Sequence, residues 1–404
     1  MSNNDEVLVA IDIGTTKICC LVAERADDDD LNIKAIGSAA SVGLSRGRVI
    51  NMPLTVKAIA QAVDQASERS GYDCRSAYIG IAGDHISGIK VHGSVSTRNG
   101  IVTEDDIDRA MKSAMIMRIP SHDQILDRVA LEYRLDGLAG IANPIGMRGT
   151  KLEVFVHVFT VDSNSLDDLC QCVYDAGLAI DEVYLESVAS AEAVLTPAEK
   201  EMGVMLLDIG GGTCGMSVYV KGAIHHVFEV PLGGDVLTHD LATGLNISLY
   251  SAELLKMSHG CCHEDLIPDD YDIDVPSLDG LSSVTVGVSN VCHILRKRIE
   301  SLYGHVSNNL IQSGYDDDVS NVVLTGGTSL LAGMQELGLD YFNRQIRLGS
   351  PYLRGTLSDL VESPVYSTAV GLMLRGMRVR ESQLGGRVSG GFWVFDKVKA
   401  LFGR

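Results

Sequence analysis

The chain has 404 residues, 46% hydrophobic and 21% charged, enough length and apolar content for two globular domains each with its own core. Its formal net charge of −20 repels polyanions, which excludes the folded body as a partner for nucleic acid and limits contact with an anionic membrane to a local exception. The nine cysteines include no Cys-x-x-Cys pair, and Cys19, Cys20 and Cys214 stand inside apolar runs, as reduced core thiols of a cytosolic protein do.

In chain order, the polar segment Met1–Glu6 goes straight into the apolar run Val7–Ile11, so no signal peptide is expected. That strand ends in Asp12, turns through Gly14, Thr15, Thr16 and Lys17, and returns as Ile18–Ala23, a β-hairpin. Asp27–Asp30 reads as a solvated hairpin tip, because it lacks the spaced ligands and glycine of a calcium loop. Strands end near Ala40, and Leu54, Ala58, Ile59, Ala62, Val63 and Ala66 predict a helix over Pro53–Arg69. Strand Ala77–Ile81 follows. From about His85 to Asp162 the pattern shifts to short strands, a helix around Thr103–Met117 with a Thr-Glu-Asp-Asp cap, and the alternating strand Leu152–Val158, which predicts an inserted small domain. Helix Ser165–Ala176 stops at Gly177, and Val183–Leu185 leads into Glu186.

The second half repeats the opening. Val204–Leu207 runs into Asp208, Gly210, Gly211, Gly212 and Thr213, then into Met216–Val220. Pro231–Asp235, with Gly233 and Gly234, opens a helix, and Ser251–His259 forms another that carries Glu253 and Lys256. Cys261–Leu281 is polar and loop-rich. A long helix over Val284–Ser313 carries the consecutive cations Arg296, Lys297 and Arg298, which by themselves read as a solvated face of an otherwise acidic chain. Strand Val322–Thr325 runs into Gly326 and Gly327, residues 364–378 form a last helix, and Glu381–Gly391 is a glycine-rich linker. In the final unit Val394, Phe395, Val398, Leu401 and Phe402 share one helical stripe, with Phe392 and Trp393 at its start. A helix of about 12 residues is too short to span a bilayer but can lie in its surface; the alternative is docking on the protein's own core.

One Asp-x-Gly-Thr turn is equally a tight hairpin. Two copies predict a duplicated phosphate clamp: glycines admit backbone N–H groups to phosphate oxygens, threonines add donors, and Asp12 and Asp208 hold water on magnesium. Gly-x-Gly-x-x-Gly opening a helix and the Gly-Lys-Ser/Thr of a P-loop are both absent. With Gly326-Gly327 as a third element, the set resembles the actin-like ATPases, a superfamily that includes actin, heat-shock ATPases and sugar kinases.

Within that superfamily the chain resembles the FtsA family of bacterial cell-division proteins. The likeness rests on both phosphate motifs, His85-Ile86-Ser87, Asn143–Gly146, His259-Gly260-Cys261, Leu324–Gly327, Tyr366–Leu372 and the amphipathic end. It implies an α/β, two-lobed actin-like ATPase fold with duplicated mixed sheets. The first lobe would take residues 1–84, 163–195 and 364–380, and the insert 85–162. The second lobe would divide into a core of 196–230 plus 301–363 and a subdomain of 231–300, before a linker of 381–391 and a membrane-targeting helix of 392–404.

By the same resemblance ATP and Mg2+ bind between the lobes, as assembly ligands with at most weak hydrolysis. Asp12 and Asp208 face the magnesium shell, and Gly14, Thr15, Thr16, Lys17 and Gly210–Thr213 hold phosphates. Gly233, Gly234 and Asp235 touch the nucleotide, Glu253 and Lys256 bracket adenosine, and Gly326 and Gly327 support the base. Glu186 matches the carboxylate that polarises water, although an acid at a helix N-terminus is favoured there by the helix dipole in any case. One position departs: related proteins carry an acid two residues after the second motif's threonine, where this chain has Gly215. The implied partners are the FtsZ C-terminal tail at Arg296, Lys297 and Arg298, further copies of the chain in filaments, later division proteins, and an anionic membrane at the cytoplasmic face of the division site. Two rivals remain at this stage: a small-molecule kinase, which needs a substrate pocket with a catalytic Asp, and a pilus-assembly adaptor, which has no use for the tail.

Overall fold

The computed structural model describes residues 7–25, 31–116, 120, 122–141, 143–267, 270–278, 280–353 and 358–384. The predicted terminal helix with Phe392, Trp393, Phe395, Val398, Leu401 and Phe402 lies outside them, as does the acidic run Asp27–Asp30.

Strands β1 (Val7–Ile13) and β2 (Lys17–Arg25) form the first hairpin, and β3 (Leu31–Ala40) pairs antiparallel with β2. A short ribbon, β4 (Leu44–Ser45) and β5 (Arg48–Val49), precedes α1 (Met52–Ser70). The side chain of Asn51 caps that helix and Gly71, in the left-handed region, ends it. The buried stripe of α1 lies so close to β3 that a Cβ on Gly37 would stand 1.9 Å from the Ala62 carbonyl oxygen. Strand β6 (Ser76–Ile81) then runs parallel to β1.

The insert is a four-stranded antiparallel sheet made of β7 (Ile86–Ser96), β8 (Asp123–Leu135), β9 (Leu138–Ile141) and β10 (Lys151–Asp162), in the order β7-β10-β8-β9. Between β7 and β8 lies helix α1's successor, α2 (Glu104–Ala114), whose N-terminus is a full capping box between Thr103 and Asp106. Helix α3 (Ser163–Asp175) returns the chain to β11 (Ala179–Leu185), parallel to β6, which completes a first sheet of order β11-β6-β1-β2-β3.

After α4 (Glu186–Val194) and α5 (Pro197–Met202) the pattern recurs. Strands β12 (Val204–Ile209) and β13 (Cys214–Val220) make the second hairpin, β14 (Ala223–Val230) pairs antiparallel with β13, and α6 (Gly234–Leu245) and α7 (Leu249–His259) follow. Next come β15 (Asp272–Pro276), β16 (Ser283–Gly287), α8 (Val288–Ser313), β17 (Asn321–Thr325), α9 (Met334–Phe342), β18 (Gln345–Leu348) and α10 (Ser367–Leu384). The second sheet, β14-β13-β12-β17-β18, repeats the first: an antiparallel hairpin plus one strand, then two parallel strands.

Four expectations need correction. The stretch read as polar loop contains β15, and Val284 to Gly287, read as the start of the long helix, is β16. Exposure alternates along both strands, Ile273 faces Val286 and Val275 faces Val284, so cross-strand pairing of β-branched residues outweighs helical spacing. The linker written from Glu381 begins later, because α10 continues to Leu384. Helix α8 is also unbroken through position 300, where a boundary between core and subdomain was drawn.

The insert meets the second lobe through a histidine contact. His157 on β10 is fully buried, with its ring 4.5 Å from Phe159 and stacked on His226 of β14 at 6.3 Å. His226 in turn bonds Asn309 of α8 at 2.6 Å, and Lys90 donates to the Tyr315 hydroxyl at 3.0 Å, which also meets His225 at 3.3 Å. Burial, followed by the nearby His226, Lys90 and His225, pulls the His157 pKa from 6.5 down to about 3. The unfolded chain therefore binds the extra proton first, and this group withdraws stability as pH falls from about 6.5 towards about 3. Chemical denaturation across pH 7 to 4.5 should show that acid limb in the wild type and a flatter one in His157→Phe.

Candidate functional site: a cleft between two phosphate-type turns

The turns of the two hairpins close alike. The Gly14 amide donates to the Lys17 carbonyl at 3.1 Å and the Gly210 amide donates to the Thr213 carbonyl at 2.9 Å. Both face one cleft with about 840 Å³ of atom-free space, its mouth included. Asp12, Gly14, Thr15, Thr16 and Lys17 line it from the first lobe, Asp208 and Gly210–Thr213 from the second, with Glu186, Gly326 and Gly327 completing the wall.

The turns touch each other. A Cβ on Gly211 would stand 2.4 Å from Thr16 Cγ2, and one on Gly212 would stand 2.4 Å from Thr15 Oγ1. Gly210 differs, since its Cβ would meet nothing nearer than the Thr213 carbonyl at 3.5 Å. Gly326 needs to be glycine twice over: its φ is +83° and a Cβ would sit 2.5 Å from Asp208 Oδ1.

Four acids face this space. Asp12, at the end of β1, is buried, and its pKa is raised to about 7 by burial; Lys17 opposes that rise and Asp208 adds to it. Asp208 is raised by burial as well, although the Ser190 hydroxyl and the Thr368 hydroxyl, the latter at 3.2 Å, donate to it. Glu186, the first residue of α4, is pushed well up by burial and then by Asp12, Asp208 and Glu229. Gly80 leaves room for its side chain, since a Cβ there would meet Glu186 Cγ at 2.7 Å. Glu229 is raised to about 8, again chiefly by burial.

Against this negative charge stands Lys17. Its Nζ lies 4.2 Å over the Tyr366 ring, is buried, and has no hydrogen-bond partner. An unpaired buried ammonium beside glycine turns fits an anionic group such as a phosphate. Among the described residues no three of His, Cys, Asp and Glu come close enough together to ligate a metal directly. Asp12 and Asp208, two carboxylates that face one cleft from the two lobes, fit a divalent ion held through its water shell.

Not every residue singled out in the sequence reaches the cleft. The Gly234 amide donates to the Gly210 carbonyl at 3.0 Å and the Asp235 amide to that of Gly211 at 2.7 Å, so Gly233, Gly234 and Asp235 brace the second turn from behind. Lys256 closes on Glu253 at 2.7 Å, on Thr238 at 2.8 Å and on the Gly234 carbonyl at 3.0 Å; neither it nor Glu253 is part of the cleft wall. Arg298 is held bidentately by Asp240 of α6 at 2.5 and 2.9 Å, Arg296 by Glu300 at 2.9 Å, while Lys297 is exposed. Conversely, the sequence reading passed over Ser187, Glu229 and Thr368, which all line the cleft. The signal for Glu229 was present: it is a lone acid inside the apolar run Val227–Val230.

Residues 205–371 match the family described as Cell division protein FtsA, and residues 83–160 match the SHS2 domain inserted in FTSA. The Cell division protein FtsA of Pseudomonas aeruginosa is 37% identical over 396 residues, 98% of this chain and 95% of that protein. That of Escherichia coli K12 is 31% identical over 389 residues, 94% and 92% of the two chains.

The chain belongs to the FtsA family of cell division proteins.

Solved structures give the fold. The PilM-PilN type IV pilus biogenesis complex matches with a TM-score of 0.67 at 16% identity, over 92% of this chain and 98% of that one. MreB5 of Spiroplasma citri bound to ADP matches with a TM-score of 0.54 at 12% identity, over 95% and 98%. This chain thus has the actin-like architecture, with the family's inserted domain in its first half. The pilus protein shares the fold, whereas full-length relatives at more than 30% identity carry the division name. Among the described residues no helix is long and apolar enough to cross a membrane.

Contact between the turns sets a stability test. Gly211→Val should lower the unfolding free energy by about 1–3 kcal/mol, since the new side chain meets Thr16 across the cleft. Gly210→Val, whose Cβ would meet only Thr213 at ordinary contact distance, should stay within about 1 kcal/mol of wild type in the same denaturation series.

Proposed function

We propose that this FtsA family member binds ATP with Mg2+ in the cleft, assembles with further copies of itself into filaments, and tethers FtsZ filaments to the cytoplasmic face of the membrane at the division site, where it helps recruit later division proteins. The observation that carries the nucleotide reading is the convergence of two like-built glycine turns, one from each lobe, on an unpaired Lys17 ammonium. In this role Gly14–Thr16 and Gly210–Thr213 receive phosphates, Lys17 compensates their charge, Asp12 and Asp208 order metal-bound water, Gly326 and Gly327 support the base, and Glu186 polarises water. Gly233, Gly234, Asp235, Glu253 and Lys256 act from behind the turn by holding it in shape. Ligand contacts from both lobes favour a closed state, which links occupancy to assembly. The solved relative of this fold that was bound to ADP supports the nucleotide reading by analogy.

Isothermal titration with ATP and Mg2+ tests it. Wild type should bind saturably, and Gly210→Val, which keeps its fold, should lose binding; equal affinity in the two proteins refutes the cleft as the site.

For the partner, an acidic peptide such as the FtsZ tail docks on the α8 face of Arg296, Lys297 and Arg298. Asp240 already holds Arg298, so a peptide carboxylate has to compete with it. Arg298→Glu should weaken a fluorescent tail peptide about tenfold or more and Asp240→Asn should tighten it. No change with either variant moves the docking site elsewhere.

The membrane role rests on the stripe Val394, Phe395, Val398, Leu401 and Phe402 with Phe392 and Trp393. Ending the chain before Phe392, or placing Phe395→Glu in the stripe, should abolish co-sedimentation with anionic liposomes and leave ATP binding intact. A truncated protein that still pellets fully would make the tail a docked structural helix.

A further inference from the structure

Gly215 is the position at which the resemblance leads one to expect an acid. In the antiparallel β13–β14 pair its register partner is Glu229, so the two positions are direct cross-strand neighbours. The volume a side chain would need above Gly215 is taken: a Cβ there would stand 2.7 Å from Glu229 Oε1 and 2.7 Å from Ser187 Cβ. Both Gly215 and Glu229 line the cleft. We infer that Glu229 supplies from β14 the water-ordering carboxylate that Gly215 does not supply from β13, and acts as a further positioning residue at the phosphate end of the site. This rests on the nucleotide reading above and extends it to a residue outside the two turn motifs.

Glu229 is only 5% exposed, yet its carboxylate is half used. Oε1 accepts from the Ser187 hydroxyl at 3.2 Å, while Oε2 has no hydrogen-bond partner and the nearby Gly83 amide only eases its ionisation. A buried acid with an idle oxygen destabilises the fold, and its neighbours Val227 and Val230 show that β14 readily takes an apolar residue. The bond from Ser187 has a second consequence. Ser187 follows Glu186 at the start of α4, so one hydroxyl fixes the Glu229 head group beside the residue proposed to polarise water. With Ser187 on Oε1, Oε2 keeps its acceptor capacity for water in a metal's hydration shell or beside a terminal phosphate. The departure at Gly215 is thus not a loss of the acid from the site but its transfer by one strand, and the side chain missing from Gly215 is what gives Glu229 its place.

The test uses wild type, Glu229→Gln, Glu229→Val, Gly215→Asp, and the double variant Gly215→Asp/Glu229→Val. Each is assayed for thermal midpoint without nucleotide and for affinity to a fluorescent ATP analogue with and without Mg2+. Glu229→Val should raise the nucleotide-free midpoint, since a buried carboxyl group with an unpartnered oxygen is removed. Glu229→Gln and Glu229→Val should each shrink the Mg2+-dependent gain in affinity about tenfold. Gly215→Asp alone should lower the midpoint, because its side chain meets Glu229, and the double variant should recover both midpoint and Mg2+ gain. A full Mg2+ gain in Glu229→Gln overturns the inference while leaving the nucleotide site standing, as does a folded double variant that recovers none of it. Wild type with no affinity for the analogue overturns the nucleotide reading itself.

Discussion

The contact between the two glycine turns is the constraint from which the rest of the structure follows. Each turn lies at the end of a buried hairpin rooted in its own five-stranded sheet. They approach so closely that Gly211 and Gly212 leave no room for side chains beside Thr16 and Thr15. That approach collects Asp12, Asp208, Glu186 and Glu229 around one space with Lys17 as their cationic neighbour. In a protein of net charge −20, such a cluster is repulsive and desolvated. Burial raises the pKa of each of these four acids, and repulsion adds to the rise for Asp12, Glu186 and Glu229, so closing the turns over them costs free energy.

What keeps the acids in position is helix packing behind the cleft. Helices α4 and α10 cross with almost no gap: a Cβ on Gly371 would stand 1.8 Å from the Ala189 carbonyl oxygen. The crossing brings Ser190 of α4 and Thr368 of α10 within 3.0 Å of each other, and both hydroxyls donate to Asp208. Glu186 starts α4, and α10 begins at the cleft wall and runs to Leu384. A single helix pair thus connects Asp208 and Glu186 of the cleft with the segment that runs to Leu384.

The insert is tied in by polar contacts as well as by its sheet. Arg375 of α10 meets Asp127 of β8 at 3.1 Å and lies 4.5 Å over the Tyr184 ring. His157 of β10 packs on His226 of β14. Buried neutral histidine and a paired buried arginine specify one docking geometry more than they add stability.

The duplicated hairpins, the α1 stripe, the capped insert helix and the glycine pair after β17 were all legible in the sequence, because each is encoded by residues within a few positions of one another. Local spacing also located Asp12, Lys17, Asp208 and Gly210–Thr213. It misread Val284–Gly287, where pairing with β15 decides the conformation and the partner strand is distant in spacing terms from any helical signal. It could not assign Arg298, whose charge is taken up by Asp240 from another helix, or foresee that Glu253 and Lys256 close on each other and on Thr238. The same limit hid Glu229. A lone acid in an apolar strand is visible in the sequence, but only the β13–β14 register sets it over Gly215, and only the crossing of α4 sets Ser187 beside it. Residue types and short-range periodicity determined the elements and the turn chemistry; which charges meet across the cleft was decided by tertiary packing, since electrostatic and steric contacts depend on distance in space and not on distance along the chain.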